Sequence, residues 1–164
     1  MAATYEPIQS YTLGSAASSI SFTSISGSYT DLILALNHSS SSTSGLVVLD
    51  FNSDTTNNNY SGTVMIADSG GYSSSRYNGA NNVNQHFISW ARTEWATTLV
   101  HINNYSNSTT YKTFLTRNSN ANGQVGAGVF LWRNTNAITS VTVKGSAVNL
   151  AAGTMATLYG IASA

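Results

Sequence analysis

Residues 50, 52 and 54 carry side-chain oxygens at the alternate spacing with which a calcium-binding loop begins. The stretch is Asp50-Phe-Asn52-Ser-Asp54, and ligands at its first, third and fifth positions would face one cation. The pattern fails further along, where the sixth position is Thr55 instead of glycine and the twelfth is Ser61 instead of glutamate. We therefore expect an Asx-type turn at a strand end, and no bound metal or other cofactor. The alternative is an ion bound in a different geometry.

The three histidines could in principle be metal ligands or general bases. His38, His86 and His101 lie in three separate predicted elements, and none has a carboxylate at metal-ligand spacing in the sequence. Either role needs a partner of that kind, so polar strand residues are the favoured interpretation. Serine is abundant, but no Gly-x-Ser-x-Gly motif presents one as a nucleophile.

Paired carboxylates are the remaining route to catalysis, because a glycosidase needs two of them about 5 to 9.5 Å apart. The candidates are Asp31, Asp50, Asp54, Asp68 and Glu94. Asp31 opens a predicted strand and the others lie at loop edges, so the sequence does not place any two together. We predict that the protein is not an enzyme.

Aromatic side chains could instead stack on a sugar ring or pack against another subunit. Trp90 and Trp132 lie inside predicted strands, where large rings fill the core. Tyr72, Tyr77 and Trp95 lie in predicted loops, so they are the candidate contacts with a ligand or a neighbouring subunit. The subunit contact is the favoured interpretation.

The composition is unusually low in charge. Only 7% of the 164 residues are charged, and six basic residues balance six acidic ones. This argues against binding of nucleic acid, which needs a basic surface, and against electrostatic contact with a membrane.

Cysteine is absent, which excludes a disulfide framework and thiolate metal sites. The N-terminus has neither the basic nor the apolar region of a signal peptide, so we expect no export by the general secretory route.

The densest apolar stretch is residues 29–37, in which Leu32, Leu34 and Leu36 alternate with Ile33 and Ala35. Side chains alternate between the two faces of a strand. This strand is therefore apolar on both faces, and we place it in the middle of a sheet with cover on each side. The second cover would be a loop or a neighbouring subunit.

About ten such runs, separated by Gly, Asn and Ser turns, predict an all-β fold with negligible helix. Residues 68–82 are predicted as a long irregular stretch, and residues 118–123 as a hairpin tip around Asn122-Gly123. Regular spacing of this kind is typical of a sandwich or barrel, and the long loops favour a jelly-roll-like antiparallel β-sandwich. We expect one such domain over residues 8–164, preceded by an extended arm at residues 1–7.

Several stretches, in order along nearly the whole chain, resemble a family of small β-sandwich virion proteins of tailed bacteriophages, notably those of cyanobacteria and marine bacteria. The matching stretches are residues 5–8 with 13–15, 29–34, 51–54 with 59–61, 104–107 with 110–113, 131–133 with 137–141, and 151–153 with 158–161. The resemblance implies a structural component of the capsid or of a tail appendage. It brings no catalytic residue.

These observations together predict a capsid decoration, or cement, protein. It would sit as a homotrimer on the outer capsid surface against the major capsid protein, after assembly in the cytoplasm of the bacterial host. The low charge, the single domain and the arm at residues 1–7 favour this interpretation. The alternative is a tail-fibre or baseplate tip that binds host cell-surface glycan through Tyr72, Tyr77 or Trp95.

Overall fold

Two antiparallel sheets make up the fold in a computed structural model, which describes residues 4–43, 45–78 and 87–162. The described residues form twelve strands: β1 (Tyr5–Thr12), β2 (Ser19–Phe22), β3 (Asp31–His38), β4 (Gly45–Phe51), β5 (Tyr60–Asp68), β6 (Gly71–Asn78), β7 (Phe87–Ala91), β8 (Ala96–Ile102), β9 (Lys112–Asn120), β10 (Val125–Trp132), β11 (Val141–Ser146) and β12 (Met155–Ile161). The described residues contain no α-helix, only a 3-10 turn at Asn57–Asn59. The predicted all-β, jelly-roll-like sandwich is confirmed, with twelve strands instead of about ten.

The sheets differ in size. The larger has eight strands in the order β1-β12-β3-β8-β9-β10-β5-β6, and the smaller has four in the order β2-β11-β4-β7. All the pairings are antiparallel.

Among the described residues there is no helix of the length and apolar character that crossing a lipid bilayer requires.

The core lies between the inner faces of the two sheets. Its members alternate along the strands, so that β3 and β8 each bury every second side chain. The predicted core residues are all at most 1% exposed, namely Leu32, Leu34, Leu36, Val47, Leu49, Val100, Ile102, Val141 and Val143. Trp132 is fully buried, as predicted, and Trp90 is half-buried against the core.

The ring of Phe130 requires glycine at two positions of the larger sheet. It stacks on Phe114 with 4.9 Å between ring centroids, and it lies over the backbone of Gly62 in the neighbouring strand and Gly128 in its own. A Cβ at either glycine would overlap the ring. These glycines leave space for a large aromatic side chain that the core needs.

Strand β3 lies inside the larger sheet, between β12 and β8. Its inner face is sealed by the smaller sheet, but Ile33 and Ala35 on the other face are only half-buried. The sequence predicted that both faces of this strand are covered. The smaller sheet of the same chain covers the inner face. The second side is left partly open.

The prediction of an irregular stretch at residues 68–82 is wrong where the structure describes it. Gly71–Asn78 forms β6, which pairs with β5 along its whole length. The sequence of β6 does not alternate between apolar and polar residues, because β6 is an edge strand on which nearly every side chain is exposed. Residues 79–86, including His86, lie outside the described residues.

The predicted hairpin tip is confirmed. β9 ends at Asn120 and β10 begins at Val125, and Gly123 takes the positive φ of 83° that the turn requires. At the N-terminus, the described part of the predicted arm is extended, but Tyr5, Glu6 and Pro7 pair with β12 as part of the larger sheet. An arm that reaches a neighbour stays a prediction.

Replacing Leu34 by alanine tests the core. Leu34 is 0% exposed, and Leu34→Ala should lower the free energy of unfolding by about 2 to 5 kcal/mol because it removes buried methyl groups and leaves a cavity. Chemical denaturation would measure this. The matched control is Thr97→Ala at an exposed position of the adjacent strand β8, which should change stability by less than about 0.5 kcal/mol. Equal losses in the two variants would contradict the packing.

Candidate functional site

The three predicted contact aromatics do not form one site. Tyr72 and Tyr77 lie on β6, not in a loop, and their odd spacing places them on opposite faces. Tyr72 is 93% exposed, whereas Tyr77 packs against the core. Trp95 is half-exposed in the β7–β8 connection beside Gly153. Four strand steps separate it from β6, or about 19 Å at the usual strand spacing.

The proposed calcium loop is an Asx turn, as the sequence analysis favoured. One carboxylate oxygen of Asp54 accepts the backbone N–H of Thr56 at 2.9 Å. The other accepts the Asn59 amide at 2.7 Å and the Trp132 indole N–H at 2.8 Å. Partial burial raises the pKa of Asp54, but these hydrogen bonds outweigh burial and the net pKa is lowered. The carboxylate therefore serves as an acceptor for the core tryptophan.

Asp50 is not available as Asp54's partner in catalysis. It is 3% exposed on β4, and the ammonium group of Lys144 on β11 forms an ion pair with its Oδ2. Across the described residues, no three His, Asp or Glu side chains gather where they could share a metal ion. The carboxylates of Asp50 and Asp54 are both engaged in structural contacts.

Two described histidines have different environments. His38 is fully buried at the end of β3, and its Nε2 lies 3.1 Å from the Thr98 hydroxyl. Burial lowers the pKa of the imidazole from 6.5 to about 4. His101 lies on the opposite face of the larger sheet, with its Nε2 3.0 Å from Asp31 Oδ2. His101 is a polar strand residue, as the sequence analysis favoured. Sequence spacing did not indicate its carboxylate partner, because the two residues are 70 positions apart.

Asp31 holds His101 in a defined orientation. Its second oxygen accepts the backbone N–H of Asn104 at 2.6 Å, so both carboxylate oxygens are engaged. His101, Arg117 and Tyr5 line a depression of about 260 Å³. The residues that line this depression include no carboxylate and no serine.

The side of the larger sheet that faces away from the smaller sheet is the most distinctive surface of the molecule. We call it the outer face. Strand register places rows of side chains across it, for example Ile33, His101, Leu115 and Val129 on β3, β8, β9 and β10. Seven of the exposed large hydrophobic side chains lie there, namely Tyr5, Met65, Tyr72, Leu115, Val125, Val129 and Met155.

The outer face is also indented. A depression of about 750 Å³ lies beside Tyr72, between Met65 and Val125. A smaller one of about 200 Å³ lies between Arg76 and Val129. Sequence reasoning missed this surface because its residues come from eight strands in a shuffled order, and only the register shows that they share a face.

Comparison with known proteins does not assign this chain to a family. No family model and no curated protein matches it. Among solved structures, it is 8% identical to an alginate lyase mutant in complex with an alginate tetrasaccharide, over 87% of this chain and 79% of that one, with a TM-score of 0.28. A marine alginate lyase from Aplysia kurodai is 7% identical over 78% and 72%, with a TM-score of 0.24. A protein of unknown function from Shewanella oneidensis is 6% identical over 98% and 77%, with a TM-score of 0.27. At these scores the likeness carries no argument about activity.

Removing divalent metal should leave the protein's stability unchanged. Three N–H groups already point at the Asp54 carboxylate, and their positive ends occupy the positions that a cation would take. We expect EDTA, and then excess calcium, to move the melting temperature by less than about 1 °C. A drop of several degrees with EDTA that calcium reverses would show that the turn binds an ion.

Mild acid should destabilise the protein through His38. The unfolded histidine takes up a proton near pH 6.5, whereas the folded one resists until about pH 4. The unfolded state therefore binds more protons between these values, and stability falls as the pH is lowered. His38 alone should lower the free energy of unfolding by about 2 kcal/mol between pH 7 and pH 5.

Denaturant titrations at several pH values would measure that slope. The matched control is His38→Gln, which keeps a polar side chain near Thr98 but does not titrate. Its stability should vary less over the same pH range. Equal slopes in the two proteins would show that His38 is not the group responsible.

Proposed function

We propose that this chain is a non-enzymatic structural protein of a tailed-phage virion, a decoration protein that stabilises the outer surface of the capsid. It would bind there as a homotrimer against the major capsid protein, after assembly in the host cytoplasm. The observation that carries the proposal is the outer face, a broad, indented surface with seven exposed large hydrophobic side chains, on a chain that has few charges. The sequence resemblance to phage virion proteins supports it independently.

A surface of this kind suits packing more than catalysis. Exposed apolar patches larger than a few hundred Å² mark contact sites with other molecules. The carboxylates of Asp31, Asp50 and Asp54 are held by hydrogen bonds or an ion pair. A chain with zero formal net charge also has little electrostatic repulsion to keep copies apart.

The second candidate is a tail-fibre or baseplate tip that binds host cell-surface glycan. One observation favours it: Tyr72 is 93% exposed beside the depression of about 750 Å³. An open aromatic ring next to a depression could stack on a sugar. Tyr77 and Trp95 do not join Tyr72, so this site would rest on one aromatic residue.

Binding to purified phage shells tests the two candidates against each other. The decoration protein should co-sediment with expanded shells and saturate at a copy number that matches their threefold and quasi-threefold positions. A glycan-binding tip should ignore shells and bind host surface polysaccharide, with binding lost in Tyr72→Ala and kept in the control Tyr111→Ala, which removes another exposed tyrosine. Absence from expanded shells, or a particle map that places the chain on the tail, would contradict the decoration role.

A further inference from the structure

We propose that the outer face of the eight-stranded sheet is the surface through which one copy of this chain docks on a neighbouring copy. This deepens the proposed function, because it names the contact that would hold the trimer together. The surface is continuous. Leu115, Val129, Met65 and Val125 are neighbours on β9, β10 and β5, and each is at least 43% exposed.

The large side chains of the face are of types that are frequent in protein interfaces, although Asp31, which contacts His101, and polar residues such as Thr97 and Thr113 also point outward. Protein interfaces are enriched in aromatic residues, Met and Arg, and depleted in Lys, Glu and Asp. The face carries Tyr5, Tyr72 and Tyr159, Met65 and Met155, and the arginines Arg76 and Arg117. Both lysines lie elsewhere: Lys112 is buried on the inner side, and Lys144 lies on the smaller sheet.

The size of the face is sufficient for a stable contact. Eight strands at about 4.8 Å spacing, each about 25 Å long, cover roughly 900 Å². A stable interface needs about 800 Å² from each partner. A neighbouring copy that covered most of the face would therefore meet the requirement without help from another surface.

The smaller sheet offers no competing surface of this kind. Its outward positions on β2 and β11 are Ser19, Ser21, Thr142 and Lys144. Its outward apolar residues on β4, Leu46 and Val48, are at most 9% exposed, and Trp90 beside Leu46 is half-buried. Apolar exposure is thus concentrated on one side of the sandwich. This asymmetry is expected if the outer face of the larger sheet is covered in the assembly.

A second copy is the occupant that the charges favour. Arg117 lies between Leu99 and Ala127 near the centre of the face, where an uncompensated cation would oppose a basic partner. The same chain carries carboxylates outside the face, at Asp68 and Glu94. In a cyclic trimer, the outer face of one copy meets a different surface of the next, and a carboxylate on that surface would compensate the arginine's charge.

The test is the solution mass of the full chain and of single variants. Light scattering and sedimentation at about 20 μM should give three chain masses for the unmodified protein, because interfaces of about this area have dissociation constants that range from micromolar to picomolar. Val129→Glu and Leu115→Glu should each give one chain mass, because a carboxylate would be buried without a partner, and should weaken association about 100-fold or more. Both positions are more than 40% exposed in one copy, so the variants should fold.

Two control variants isolate the effect. Ser19→Glu adds the same charge on the smaller sheet, and Val129→Thr changes the same residue without adding charge. Both should keep the mass of the unmodified protein. Circular dichroism of every variant should match the unmodified chain, which separates loss of docking from loss of folding.

The outcomes separate this inference from the proposed function. Glutamate variants that keep the mass of the unmodified protein overturn the inference, as does an unmodified protein that is monomeric at every concentration. If the unmodified protein is monomeric but Val129→Glu abolishes shell binding, the occupant is the shell protein. The inference then fails while the proposed function stands. A monomeric Val129→Glu with trimeric controls supports the inference, even if no variant binds shells.

Discussion

The packing of the two sheets depends on the Phe51 side chain, because its ring joins both sheets in one aromatic cluster. It lies on β4 of the smaller sheet and meets two residues of the larger one, Phe114 at 5.2 Å and Trp132 at 5.4 Å between ring centroids. The Tyr60 hydroxyl accepts the Phe51 backbone N–H and donates to the Asp54 carbonyl, both at 3.0 Å. The aromatic core and the Asx turn are therefore a single unit, in which Asp54 satisfies the buried indole of Trp132.

The inner face of the larger sheet contains this cluster and packs on the smaller sheet, so its outer face has no second layer within the described chain. An eight-stranded sheet is wider than the four-stranded sheet that covers it, and no helix of the described chain lies across its other side. The side chains that alternate outward therefore stay in solvent. Their apolar character is not required for folding in a single copy, so it points to a role outside the single copy.

Much of the fold could be predicted from the sequence because apolar alternation is a local signal. Leu32, Leu34 and Leu36 show it, and each is buried as predicted. β6 gave no such signal, since Ser73, Ser74 and Ser75 are all exposed. The candidate site was harder still. The pairing of His101 with Asp31 and the clustering of Leu115 with Met65 depend on strand order, and nothing local in the sequence encodes which strands become neighbours.

One edge of the larger sheet, at β1, is poorly suited to association strand by strand. An open edge is a template on which further copies can add strand by strand, and proteins block it with proline and β-bulges. Pro7 removes one backbone donor from β1, and the register shifts between Pro7 and Gln9. A copy that added to this edge would lose regular pairing within a few residues. Contact through the outer face has no such obstacle, and it closes into a ring of three copies if each copy is rotated by a third of a turn relative to the last.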